Sequence, residues 1–346
     1  MSNYGLDASW TLWEGNLRRY KLEAAQLGLR QKALAREDVE KNIKLGLLQR
    51  YLAAMYASEA VRIAELTLAA SERIMERVRG LTRAGRSPQA TYIQLENQYA
   101  RDRYTLVQAR GELEAAKVAL KAALQIRFDI PFDIACPEID DTDALAPLPL
   151  IEDVYASAME WLPELRINRV RKGVYAANVK IARAGYFPKV ALSGAAGAGY
   201  ASGGRSWKSQ IGHGLNERIG VKIDVPIFDA NATKRAVAKA RLGALRNDVE
   251  KDSLESEVSR TIEGLYTDVH NAQAGYMAGM KQLEVALLAA GITTADLEKG
   301  KVDAFDVLTA HNNLAAARLE VLKCKYLAML AGKTLRFYAT KEVNFP

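Results

Sequence analysis

Gly220-Val-Lys-Ile-Asp-Val-Pro-Ile-Phe-Asp-Ala-Asn231 restates the earlier stretch Gly5-Leu-Asp-Ala-Ser-Trp-Thr-Leu-Trp-Glu-Gly-Asn16 at an offset of 215 residues (220 − 5), and Gly85 returns as Gly300 at the same offset (300 − 85). Marks about eighty residues apart that keep their spacing in both copies bound a rigid element, so the chain reads as an internal duplication. Each copy opens with an alternation of period two. In the second copy Ile219, Val221, Ile223, Val225 and Ile227 share one side, and Gly220, Lys222, Asp224 and Pro226 the other. In the first, Tyr4, Leu6, Ala8, Trp10 and Leu12 take the matching apolar side. This is the spacing of a strand. A transmembrane β-strand needs about 9–11 tilted residues, apolar toward lipid and polar toward a lumen. Leu6, Trp10, Leu12, Ile219, Val221, Ile223, Val225 and Ile227 are therefore the lipid-facing candidates. The same alternation fits a half-buried strand of a soluble sheet, and pattern alone leaves both readings open.

A third strand candidate, Tyr186 to Tyr200, precedes the second copy and runs into a connection over 201–216 rich in Gly and Ser. Strands over 188–200 and 218–228 then make a hairpin with a long exposed loop, the extracellular arrangement of an outer-membrane barrel. Trp13, Tyr186, Phe187 and Phe228 bracket the opposite end, as an interfacial aromatic girdle would.

After each strand the period changes. Residues 16–84 and 231–299 hold no proline, and apolar or small residues recur at Val258, Ile262, Leu265, Val269, Ala272, Tyr276, Met280, Leu283 and Leu287. Gaps alternating between three and four predict a coiled-coil seam on a rod of roughly 100 Å, too charged to cross a bilayer. Each rod ends at a glycine turn, and a return helix of about half its length follows. A helix over 151–185 supplies the missing half. The intervening segment carries Pro131, Pro137, Pro147 and Pro149 with acidic Asp140, Asp141 and Asp143, and reads as an irregular belt. The predicted organisation is a first repeat over 1–126 (strand 3–13, long helix 16–84, return helix 88–126) and an equatorial linker over 127–150. A second repeat follows over 151–346 (helix 151–185, hairpin 186–228, long helix 231–299, return helix 303–338).

In this order the elements resemble the TolC-like outer membrane efflux proteins. The resemblance is carried by Ala184-Gly-Tyr-Phe-Pro-Lys-Val-Ala-Leu192 at the helix-to-strand entry, Val221-Lys-Ile-Asp-Val-Pro-Ile-Phe-Asp229 at the strand exit, and Gly300 to Leu308 with Asp306-Val-Leu308 at the tip. It implies a mainly α fold with a small β part: long antiparallel helical hairpins forming an α-barrel tunnel, plus transmembrane β-barrel strands, in a homotrimer. It implies a passive channel in the outer membrane of a Gram-negative bacterium, extending into the periplasm and working with a periplasmic adaptor and an inner-membrane pump for efflux or type I secretion. It also implies a closable periplasmic aperture, where Asp306 falls on the family's constricting aspartate and Thr309 on a position that is sometimes a second carboxylate. Asp306 has a simpler reading too, as an acidic residue favouring the start of its helix. Arg83, Gly85, Arg86, Lys299, Gly300, Lys301 and Asp303 surround the turns as candidates for contact with the adaptor.

Composition fits a water-exposed rod with a small membrane part: 26% charged and 8% aromatic residues, and a mean hydropathy of −0.14. The net charge of +7 is spread among interspersed acids without a compact basic module, so nucleic acid is not expected as a partner. Outer-membrane lipid is: Arg18, Arg19, Lys21, Lys189, Lys234 and Arg235 sit where strands meet helices, level with headgroups. His213, His270 and His311 stand on separate elements, and Cys136 and Cys324 form no ligand spacing. Catalytic residues, metal and cofactor are therefore not expected. Ala331-Gly-Lys-Thr334 lacks the first glycine of a phosphate loop, Leu327 standing in its place. The chain shows no export signal, no lipid-modified cysteine near its start, and no counterpart of Ile151 to Asn216 before Met1. Three strands rather than the family's four would leave unpaired edges in lipid, so an N-terminally incomplete sequence lacking roughly 65 residues is expected. The rival class is a soluble coiled-coil scaffold or periplasmic adaptor. Nothing in these residues names the cargo.

Overall fold

The computed structural model describes residues 2–137, 144–200, 206–343 and 345. In chain order these form β1 (Ser2–Trp13), α1 (Leu17–Arg83), α2 (Gln89–Ala123), α3 (Ile151–Trp161), α4 (Pro163–Ala184), β2 (Lys189–Tyr200), α5 (Trp207–Gly214), β3 (Asn216–Asp224), α6 (Ala232–Glu298) and α7 (Ala304–Thr340). The fold is mainly helical with one small sheet. Helices α1 and α6 are 67 residues each, or about 100 Å of continuous rise. No described helix is long and apolar enough to cross a membrane, a statement that leaves β-strands aside. The chain packs as two compact units, Met1–Asp38 with Trp161–Ser256 and Val39–Glu160 with Glu257–Pro346.

In the first unit the three strands form an antiparallel sheet in the order β1-β2-β3. Below it α4 is tied on two sides. Arg166 and Lys180 reach Glu37 and Glu23 of α1 at 2.6 and 3.0 Å, while Arg171 and Lys172 reach Glu250 and Asp248 of α6, both at 3.0 Å. Asn168 and Asn247, both buried, exchange amide hydrogen bonds at 3.4 to 3.5 Å. Burial is affordable there because each amide satisfies the other.

In the second unit the core is made by helices alone. Leu48, Leu52 and Met55 of α1 pack with Tyr276 of α6 and with Leu322, Tyr326 and Met329 of α7. Nearer the turns, Ile74, Met75 and Val78 meet Leu95, Ala304 and Val307.

Several boundaries differ from the sequence reading. The helix expected over 151–185 is two helices, because Pro163 lacks an amide hydrogen and clashes with the preceding turn. Leu162 therefore sits extended (φ −52, ψ 125) as the cap of α4. Strand β3 begins at Asn216 and ends at Asp224, opposite Lys189. Pro226 and Pro188 have no N–H with which to continue the ladder, so Val225 and Ile227 lie past the strand. The connection over 201–216 contains α5; its residues 201–205, like Asp140, Asp141 and Asp143 of the belt, lie outside the described residues. The α6 seam also shifts after Tyr276. Gly279 and Ala290 are turned inward and Met280 and Leu287 outward. A side chain at Gly279 would meet Val321 of α7 at 3.1 Å, so close helix approach selects the small residues and displaces the large ones.

Candidate functional site

Two regions carry the residues of interest. In the sheet, directly opposed residues of antiparallel strands point to the same side. The register aligns Leu6–Ala196–Glu217, Ala8–Gly194–Ile219, Trp10–Leu192–Val221 and Trp13–Val190–Ile223 on one face. The other face aligns Gly5–Gly197–Asn216, Asp7–Ala195–Arg218, Ser9–Ser193–Gly220 and Thr11–Ala191–Lys222. Apart from Glu217, the first face is apolar across all three strands. It is also uncovered: Leu6 is 75% exposed, Ile219 84% and Val221 63%. Leu12 does not stand in its rows. The register shifts between Thr11 and Trp13, and this bulge hands the last row to Trp13. Trp13 then meets Phe187 edge-on, with ring centroids 6.0 Å apart.

The second region holds the two turns, built alike. Gly85 and Gly300 adopt φ of +68 and +70. In each, the following amide reaches back five residues, Arg86 N–H to the Leu81 carbonyl and Lys301 N–H to the Asp296 carbonyl, both at 2.9 Å. The left-handed glycine lets these amides satisfy the helix's last carbonyls. The next helices start differently. Pro88 caps α2 with its fixed φ of −62 and no side-chain bond, whereas Asp303 Oδ1 accepts from the Phe305 and Asp306 amides at 2.6 and 3.2 Å. Asp303 is thus engaged as the cap, and Asp306 stands in the first turn, where an acidic side chain favours the helix dipole. Asp306, in the first turn, and Thr309, one turn on, are both exposed and line one groove of about 940 Å³ with Lys281, Gln282, Thr293 and Asn313. Arg83, Arg86, Lys299 and Lys301 are exposed, without an ion pair among the described residues.

Sequence reading passed over a polar cluster packed among the helices near these turns. Gln98 Nε2 donates to Asp102 Oδ1 at 2.9 Å and to Asn312 Oδ1 at 3.2 Å, and His311 Nε2 lies 3.2 Å from Thr294 Oγ1. Burial pushes the Asp102 carboxyl above its ordinary range, against hydrogen bonds from Ser71 and Gln98 and the nearby His311. Burial likewise pushes His311 down, helped by Arg318 and Arg73 and opposed by Asp102. Gln98 and Asn312 are 214 positions apart, so no local signal could have joined them. Among the described residues no group of three or more His, Cys, Asp or Glu could hold a metal ion, and Cys136 and Cys324 are free.

A family model described as outer membrane efflux protein matches residues 154–339. Among individual proteins, the chain is 22% identical over 335 residues to the outer membrane efflux protein BepC of Brucella suis, covering 96% of this chain and 70% of that one. It is 24% identical to protein CyaE of Bordetella pertussis, covering 94% and 69%. A shorter match, 27% over 182 residues, covers 51% of this chain and 36% of the alkaline protease secretion protein AprF of Pseudomonas aeruginosa. The structure overlays on that of CusC with a TM-score of 0.83 at 19% identity, covering 97% of this chain and 77% of that one. With VceC of Vibrio cholerae the TM-score is 0.80 at 17% identity, covering 98% and 78%. These likenesses settle the fold, and the family match extends over more than half of the residues: the chain belongs to the outer membrane efflux protein family.

Proposed function

We propose that the chain is the outer-membrane conduit of a multi-part efflux or secretion machine. As a member of its family it is a passive channel component of the outer membrane and not an enzyme. The finer reading is a homotrimer whose strands close one barrel in outer-membrane lipid above a helical tunnel, joined to a periplasmic adaptor and an inner-membrane pump. Residues 1–126 and 151–346 act as two copies of one repeat, linked through 127–150. The observation that carries this reading is the sheet register, which gathers Leu6, Trp10, Ile219, Val221 and Ile223 on one exposed face and their polar neighbours on the other. A lipid-facing barrel wall has this two-sided character. Exposed apolar stripes on the helices, such as Leu242, Leu245 and Val249 on α6, suit packing against further copies of the chain.

At the tip, three copies of Asp306 would form a negative collar favouring cations. The test is reconstitution in a planar lipid bilayer. Discrete conductance steps with cation preference are expected, and Asp306→Asn should lower that preference while leaving the steps. A protein that stays out of outer-membrane fractions and gives no steps would reject the conduit. Unchanged selectivity in the variant would reject the collar alone.

A further inference from the structure

Below the apolar face of the sheet, all three strands run into helices through one cationic shoulder. Gly15, after β1, lies against Phe187, and Gly185, after α4, lies against Thr233 in the first turn of α6. The approaches to α1, β2 and α6 therefore converge. Arg18, Arg19 and Lys21 open α1, Arg183 closes α4 and Lys234 stands in the first turn of α6, while Lys189 at the start of β2 takes the polar face opposite Asp224. These five shoulder cations are exposed, and none has an ion pair among the described residues. At the repeat offset Arg19 matches Lys234 (234 − 19 is 215), so both copies carry a cation at this level.

The fold itself gives no reason for this charge. The first turn of a helix favours acidic side chains and disfavours basic ones, yet neither α1 nor α6 has an acid there. Neighbouring carboxylates do little to compensate. Asp229 is turned onto the Thr233 amide at 2.8 Å, and Glu23 is taken by Lys180 at 3.0 Å. Arg235 spends one donor on the Ala230 carbonyl at 2.8 Å. Asp224, at the end of β3, is paired with Lys222 at 3.3 Å, and Glu14 remains. Cations outnumber acids at the shoulder, and its five cations are left without an ion pair among the described residues.

What adjoins it identifies the occupant. The rows Trp10–Leu192–Val221 and Trp13–Val190–Ile223 descend directly to the shoulder, and Ile227 (94% exposed), Phe228 and Tyr186 are uncovered beside it. A free phosphate or an acidic protein would use the cations and leave this apolar border in water. An anionic phospholipid uses both, its headgroup on the cations and its acyl chains on the sheet. We propose that Arg18, Arg19, Lys21, Arg183 and Lys234 form a collar that binds the headgroups of anionic phospholipids in the periplasmic leaflet. The inference rests on the outer-membrane reading above and adds a lipid class and a site to it.

The test titrates the full chain in mild detergent with phosphatidylglycerol, with phosphatidylcholine and with inorganic phosphate, counting retained lipid by native mass spectrometry. Each cation near an anionic surface is worth about fivefold in binding, so phosphatidylglycerol should be held at least about tenfold more tightly than phosphatidylcholine. The variant Arg18→Gln/Arg19→Gln/Lys234→Gln should lose that preference. A variant with three cations removed elsewhere, Arg77→Gln/Arg101→Gln/Arg103→Gln, should keep it. Circular dichroism checks that both fold, and the comparison of lipids on the unaltered chain stands without either. Equal retention of the two lipids, an unaffected preference in the first variant, or full competition by inorganic phosphate overturns the collar. The underlying reading has its own readout: a fluorophore on Val221→Cys, with Cys136→Ser and Cys324→Ser, in nanodiscs of phosphatidylcholine containing a spin-labelled quencher lipid. Quenching without a phosphatidylglycerol preference overturns the collar alone, and absence of quenching overturns both.

Discussion

The sheet of the first unit and the core beside the glycine turns of the second treat apolar side chains in opposite ways. Val307 is 0% exposed, enclosed by Val78, Leu95 and their neighbours from other helices. Ile219 is 84% exposed, and in its row across the sheet Ala8 is exposed and Gly194 half-buried. At about 25 cal/mol for each Å² removed from water, the helical core gains its stabilisation from the chain itself. The sheet forgoes that gain until something apolar covers it. The lesson is that one region encloses its apolar side chains and the other leaves them open, so a substitution that damages one should be silent in the other.

The largest expected effect falls on the helical core. Leu95→Ala should cost about 2–5 kcal/mol, as truncations of enclosed leucines do. It would appear as faster hydrogen exchange through α2 and the start of α7, with membrane insertion of the sheet unaltered. If exchange changed equally in the strands, the separation would fail. The converse is Val221→Arg, which should cost about 2–4 kcal/mol in a bilayer midplane and empty the outer-membrane fraction, while Thr11→Arg on the polar face is tolerated. Equal loss from both would break the assignment of faces.

A smaller contrast lies within the helical end. Gly300→Ala forces a side chain into the left-handed region and should destabilise by about 1–2 kcal/mol. Gly80→Ala, inside α1 with open space around it, should instead stabilise by about 0.5–1 kcal/mol. Thermal melts of the two variants should move in opposite directions. Like signs would mean that turn geometry is not what Gly300 supplies.

The smallest effect is a pH dependence confined to the polar cluster. The folded pKa of His311 is depressed, mainly by burial. Its contribution is complete above the unfolded value of 6.5 and is lost as pH falls through the lower folded value. Asp102 is raised by burial, so its contribution is complete below 3.8 and lost as pH rises through its folded value. Acidification from neutral pH should therefore first loosen α7 around His311, seen as faster amide exchange there. His311→Gln should flatten that response, and Asp102→Asn should remove the cost of a half-buried carboxylate at neutral pH. A sheet that responded to the same pH change would contradict the localisation.

Much of the architecture could be read in advance, for a physical reason. Period-two alternation and glycine punctuation are local, and Gly85 and Gly300 announced turns that the structure builds with the same bond pattern. Pro163 is as local a signal as either glycine, and the single helix expected over 151–185 left it out of account. The bulge at Leu12 and the inward turn of Gly279 depend on what the neighbouring strand or helix presents, which no pattern of large side chains reports. The candidate tip residues were located by resemblance. Asp303 closes the turn in the sequence, but that its carboxylate accepts two amides at the helix start required the actual dihedral angles.

By itself the sequence determined the kinds of element and the existence of two-sided strands, because hydrophobic periodicity and turn chemistry act over a few residues. Only the tertiary structure decided which sides coincide, aligning Trp10 with Leu192 and Val221 in one row. It also paired Asn168 with Asn247 and Gln98 with Asn312. Register and buried polar pairing are set by hydrogen bonds between segments tens to hundreds of residues apart. Their energy exists only once the chain has brought those segments together.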